Sequence, residues 1–306
     1  MFKSGCKINL FLRVLDRRKD GYHSIESLFL PLDEPHDTIS VEPLDGVAPG
    51  TVRCAFFSAA SGKESALGSI DPENNTLTRA CSRYAKATGF APSLALRVTK
   101  GVPSGAGLGG GSANAAALLK YLQRMALRSG LAPLGSEALV ALGASVGADV
   151  PFFLQDGPAL VGGIGERLTP CASPFPGRYL VLVCPDICVS TAWAFNALDA
   201  LRDPSFSAAG QKNSAERLTI GLPRATTSLV QAQDFKNDFE ELVFAHFPEL
   251  ARLHSILCGS GAELARMSGT GASLFALYKE KRIAREAAKM LANENASVYT
   301  QRLPAG

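Results

Sequence analysis

Between positions 94 and 129 a strand-like run, a glycine-crowded turn and a long helical stretch stand back to back, and this junction constrains the fold more than any other feature. Residues 94–99 (LALRVT) alternate well enough for a strand. They lead through Lys100 into residues 103–112, PSGAGLGGGS, where five of ten positions are glycine. The stretch ANAAALLKYLQRMALR that follows opens an Ala/Leu-rich helix. Glycines let backbone N–H groups approach an anion, and a helix N-terminus favours negative charge, so this order reads as a phosphate site. Glycine is costly to order, which argues against a loop with no ligand.

The usual glycine motifs do not fit. Gly105, Gly107 and Gly110 match the spacing GxGxxG, but a dinucleotide site wants an acidic residue about 20 positions on. Residues 125–135 (MALRSGLAPLG) contain none. No Lys-Ser/Thr pair follows the glycines, so a Walker A loop fails, and a protein-kinase reading lacks both HRD and DFG.

The rest of the chain reads as mixed α and β. Strands are expected at 6–15, 38–43, 94–99 and 179–185, with helices at 76–87 (ending near Gly89) and 136–146. Asp20-Gly21 marks a turn. Residues 44–75 are rich in Gly, Ala, Ser and Pro and are expected to form loops around a short run at 51–57. Residues 203–216 read as a mobile surface loop. Glycines at 157, 162, 163 and 165 suggest a division into domains 1–160 and 161–306.

Composition bounds the class. The 306 residues are 46% hydrophobic and 19% charged, which is globular. Thirty-one basic and 28 acidic residues leave a formal charge of +3 with no long basic block, so no nucleic-acid partner is expected. Seven cysteines without a CxxC pair suit a reducing compartment better than a disulfide scaffold. Lys3–Cys6 has some likeness to a lipoprotein box, yet no apolar stretch precedes it. No segment reaches the roughly 20 apolar residues of a membrane span. A cytoplasmic chain with no membrane partner is therefore expected, either a monomer or a weak homodimer.

The motifs resemble those of the GHMP kinases. Pro103–Ala116 looks like their central phosphate motif, and Met267–Phe275 (MSGTGASLF) like their C-terminal glycine motif. Lys7–Leu12 (KINLFL), Arg18–His23 (RKDGYH), Gly147–Pro151 (GADVP) and Asn237–Glu240 (NDFE) resemble the branch whose acceptor is a cytidine-diphosphate-linked methylerythritol. The resemblance spans positions 7 to 275. It implies a two-domain α+β fold, with an N-terminal domain like ribosomal protein S5 domain 2, a ferredoxin-like C-terminal domain and a substrate cleft. It implies ATP and Mg²⁺, the ion held mainly through ATP. Asp149 would be the base and Lys7 the cation beside it. Asn75, Lys100, Pro103, Ser104, Gly105, Ala106, Gly107, Leu108, Gly109, Gly110, Gly111, Ser112 and Ala113 would bind ATP. Asn9, Tyr22, His23, Thr191 and Phe195 would bind the acceptor, with Tyr22 and Phe195 sandwiching its base. The family often has two adjacent serines after the glycines, where this chain has Ser112-Ala113. Other acceptors of homoserine or mevalonate type, or a silent nucleotide sensor, are the rival readings. Taken without the resemblance, Asp149 could brace a turn, Lys7 could be an edge-strand charge and Phe195 could pack in the core.

Overall fold

The computed structural model describes residues 1–59, 75–202 and 235–305. The loop expected at 203–216, and most of the one expected after the run at 51–57, lie outside the described residues. Two units emerge. One comprises Met1–Ile8, Val14–Ser104 and Leu108–Pro170; the other comprises Asn9–Arg13, Gly105–Gly107 and the described part of Cys171–Gly306.

The first unit is built on a mixed sheet. Strand β1 spans Phe2–Arg17 and is longer than the apolar run at 6–15; it is buried without interruption from Cys6 to Leu12, so the run shows no alternation there. It pairs with β2, His23–Pro43. The sheet continues through β3 (Val52–Ser58), β4 (Leu94–Lys100), β5 (Ala159–Gly162) and β6 (Arg167–Pro170) in the order β3-β4-β2-β5-β6. β3 runs parallel to β4, and the β2–β4, β2–β5 and β5–β6 pairs are antiparallel. Only the last part of β2 was expected as strand, because Pro31 and Pro35 interrupt the pattern that precedes it.

Helices cover one face of this sheet. Helix α1 (Thr76–Thr88) starts at Asn75, whose side chain accepts from the Leu77 and Thr78 N–H groups, and ends at Gly89 in the left-handed region. Helix α2 spans Gly110–Arg128, beginning three residues before the expected Ala113. Helices α3 (Ser136–Val146) and α4 (Val150–Leu154) follow. Ala115, Ala116, Leu118, Leu119 and Leu122 of α2 pack with Leu77 and Tyr84 of α1 and with Ile39, Leu96 and Val98 of the sheet. Each buried leucine there contributes about 1.5–3 kcal/mol relative to exposure.

The second unit holds β7 (Tyr179–Pro185), α5 (Thr191–Arg202), α6 (Glu240–His246), α7 (Pro248–Gly259), β8 (Leu264–Met267), β9 (Leu274–Tyr278), α8 (Lys281–Leu291) and β10 (Ala296–Arg302). Its sheet runs β10-β7-β9-β8, every pair antiparallel. A β–α–β–β–α–β path, with α5–α7 in the first crossover and α8 in the second and with the last strand beside the first, is the ferredoxin-like arrangement. The α+β class and the ferredoxin-like second half are as the sequence implied. Among the described residues no helix is long and apolar enough to cross a membrane.

Candidate active site

In the first unit, β1 carries Lys7 into a nearly closed environment. Its side chain is 5% exposed and its ammonium stands 3.9 Å from Asp149 Oδ2, a carboxylate that is 29% exposed. The ammonium also lies 4.7 Å from the centroid of the Phe29 ring. Burial pushes the Lys7 pKa below the ordinary lysine value, and the charges of Asp149 and Cys6 oppose that shift. Such a lysine is no edge-strand charge. Asp149 precedes α4, yet its side chain makes no capping bond, so it does not brace the turn. At 3.9 Å the pair is too long for a direct hydrogen bond, so the lysine leaves the carboxylate lone pairs available.

One carboxylate that sequence reasoning passed over organises the start of the glycine loop. Asp37, in β2, is fully buried. It accepts from the Gly101 N–H at 2.9 Å, the Val102 N–H at 2.8 Å and Asn114 Nδ2 at 2.7 Å, and it pairs with Lys100. The end of β4, the loop and the first turns of α2 are thus tied to one anion. Lys100 is held there rather than solvated. Asp37 sits within a strand whose pattern Pro31 and Pro35 obscure, among polar neighbours (His36, Thr38) that make it look like an ordinary surface acid.

Helix α2 starts at an anion-ready end. Gly109 is its N-cap at φ 69°, with no side-chain cap, so the first-turn N–H groups lack partners within the helix. A Cβ on Gly109 would stand 3.3 Å from Lys7 Cε, and one on Gly110 would stand 2.8 Å from Val102 Cγ1. The Ser112 hydroxyl is 3.7 Å from the place a Cβ on Gly147 would take, beside the Asp149 turn. Thr76 Oγ1 donates to the Gly111 carbonyl at 3.0 Å, joining α1 to the same loop. Asn75 is occupied in capping α1, Ser104 is exposed, Pro103 is half-buried, and Leu108 and Ala113 are buried.

In the second unit, residues 105–107 meet the turn at 268–273. Gly105 and Gly107 have φ of 69° and 75°, and Gly269 and Gly271 have φ of 61° and 93°. A Cβ on Gly107 would fall 2.2 Å from the Ser268 carbonyl oxygen, so backbone meets backbone with no space for a side chain. Ser268 Oγ donates to the Gly107 carbonyl at 3.1 Å, and the Ser273 N–H donates to the Ala106 carbonyl at 3.3 Å. The Asn9 N–H donates to Ser268 Oγ at 3.2 Å, which brings Asn9 to the same turn. Close packing therefore requires Gly107 and Gly110 in its own right, beside any ligand.

The remaining acceptor residues are spread. Thr191 Oγ1 lies 3.2 Å from Thr270 Oγ1 in the second glycine turn. Phe195 packs edge-on against buried Phe239, with centroids 4.9 Å apart at 78°. Tyr22 is 62% exposed on the turn before β2, its N–H bound to Asp20 and its carbonyl to the Arg18 N–H. His23 opens β2 half-buried. No group of three or more His, Cys, Asp or Glu among the described residues could hold a metal ion. None of the seven cysteines, all among the described residues, is joined in a disulfide.

Two family descriptions match: GHMP kinases N terminal domain over residues 75–157, and GHMP kinases C terminal over residues 225–297. A 4-diphosphocytidyl-2-C-methyl-D-erythritol kinase of Nitratidesulfovibrio vulgaris (strain DP4) is 47% identical over 298 residues, covering 97% of this chain and 96% of the relative. One of Solidesulfovibrio magneticus, with the same name, is 40% identical over 96% of this chain and 93% of its own. The crystal structure of a 4-(cytidine 5'-diphospho)-2C-methyl-D-erythritol kinase superposes with a TM-score of 0.71 at 30% identity, covering 100% of this chain and 99% of the other. A homoserine kinase from Cytophaga hutchinsonii shares the fold at a TM-score of 0.67 and 19% identity, covering 99% and 95% of the two chains.

Proposed function

The chain belongs to the GHMP kinases, and we propose that it transfers the γ-phosphoryl group of ATP to the C2 hydroxyl of 4-diphosphocytidyl-2-C-methyl-D-erythritol, a step of isoprenoid precursor synthesis. Near-full-length relatives carry that enzyme name. The observation that carries the reading within this chain is the Lys7–Asp149 pair beside the glycine-built start of α2.

Asp149 accepts the hydroxyl proton as the oxygen attacks phosphorus. The enclosed Lys7 ammonium stabilises the charge that develops on that oxygen, in surroundings where charge acts strongly. The bond to the β–γ bridging oxygen breaks, and ADP leaves. The N–H groups of residues 109–113 and the turn at 103–107 cradle the donor phosphates, with Lys100 behind them and Asn75 on the nucleotide side. The donor set fits Mg²⁺ held mainly by phosphate oxygens and water, with the Ser112 hydroxyl as the group the chain offers. When bound, Mg²⁺ neutralises phosphate charge. Asn9, Tyr22, His23, Thr191 and Phe195 bind the acceptor, and the exposed Tyr22 ring is free to stack on a cytosine.

The test is competition and truncation. Free cytidine nucleotides should inhibit competitively against the acceptor, and Tyr22→Ala or Phe195→Ala should raise the acceptor KM about tenfold or more. Turnover of homoserine or mevalonate with no cytidine inhibition would instead assign the chain to another branch.

A further inference from the structure

The side chains of the NDFE segment hold the backbone on which the second glycine turn is built. Asn237 Nδ2 donates to the carbonyls of Met267 and Gly269, both at 2.8 Å, while its Oδ1 accepts from the Phe239 N–H at 3.0 Å. Glu240 Oε1 accepts from the Met267 N–H at 2.7 Å. Residue 267 is therefore fixed at both its N–H and its carbonyl by two side chains three positions apart. The same segment is anchored to β1, because the Asp238 N–H donates to the Leu12 carbonyl at 2.9 Å and the Leu12 N–H to the Lys236 carbonyl at 2.9 Å. One residue beyond Met267, the Ser268 hydroxyl binds the Gly107 carbonyl, and the Gly107 backbone leaves no slack against residue 268.

We propose that Glu240 and Asn237 are positioning residues for the donor-phosphate loop, acting through Met267 and the 268–271 turn on Gly105–Gly107. This rests on the reading of residues 103–113 as the ATP site. A carboxylate or amide oxygen at position 240 meets the Met267 N–H equally in shape, whereas a shorter side chain leaves that N–H to find another partner. Loosening it moves the turn against which Gly107 is packed, and a small misplacement of a phosphate loop is felt as lost donor binding.

The experiment compares Glu240→Ala, Glu240→Asp and Glu240→Gln with the unaltered protein, measuring kcat, both KM values, ADP affinity by calorimetry, and amide hydrogen exchange at 104–109 and 267–273. Glu240→Ala and Glu240→Asp should raise the ATP KM and weaken ADP binding about tenfold, with kcat and acceptor KM within about twofold. Exchange should quicken in both segments, and Glu240→Gln should restore binding to within about threefold. If Glu240→Ala does not fold, Glu240→Asp decides by the same criteria. Unchanged ADP affinity and exchange in a folded variant, or equal loss of all kinetic parameters without rescue by glutamine, overturns the proposal. An unaltered protein that binds no ADP marks failure of the ATP-site reading itself, and the hydrogen-exchange arm still separates the two.

Discussion

At the scale of single residues, what is buried and charged decides most. Asp37 illustrates the rule that an enclosed carboxylate survives when its lone pairs are taken: two backbone N–H groups, an amide and an ammonium meet it. Glu240 is less well compensated. Burial raises its pKa from 4.5 to about 7, against the opposing effects of the Met267 N–H and of Arg266. Between those values the folded chain holds a proton that the unfolded chain has released. Stability therefore falls as pH rises through this window and levels off above it. Glu240→Gln lacks the titration. Chemical denaturation between about pH 5 and about pH 8 should show the unaltered protein losing about 2 kcal/mol relative to this variant. Parallel curves would place the titration elsewhere. The sequence does not show this, because the partners of Glu240 come from distant segments that no local pattern announces.

Elements were read well where local chemistry fixes them. The bounds of α3 and β7 match expectation, and Gly89 ends α1 through its left-handed conformation. The glycine loop stands out in the sequence as a candidate phosphate site, but its edges do not. Gly110 and Gly111 belong to the helix, since glycine's poor helix propensity hides the first turn of α2. The long β2 was missed because two prolines and a run of apolar residues conceal a strand with varied neighbours. Turn packing, too, is a property of elements, and it makes Gly107→Ala informative. The added methyl meets both a positive φ and the Ser268 carbonyl. The variant should be destabilised by roughly 1–3 kcal/mol and should lose ATP affinity more than acceptor affinity. A thermal melt with the two KM values checks this; unchanged ATP affinity in a melt-shifted variant would confine Gly107 to a packing role.

For the molecule as a whole, the sequence carried the α+β class and the family, and motifs spread from 7 to 275 singled out the glycine loop and the Lys7–Asp149 pair as the candidate site. It did not carry the closure between distant turns. The Ser268–Gly107 bond joins residues 161 positions apart, and no local pattern announces such a contact. Glycines attributed to a ligand are required as much by that packing, so composition alone could not apportion their two causes. The central claim is that Asp149, beside an enclosed lysine, takes the acceptor's proton during phosphoryl transfer. Its most direct test is acceptor-dependent ADP release with ATP, Mg²⁺ and 4-diphosphocytidyl-2-C-methyl-D-erythritol, comparing the unaltered protein with Asp149→Asn. The account predicts turnover that requires the acceptor and a kcat lowered about 10²–10⁴-fold in the variant, with ADP affinity retained. Full activity in a folded Asp149→Asn protein, or ADP release indifferent to the acceptor, would contradict it.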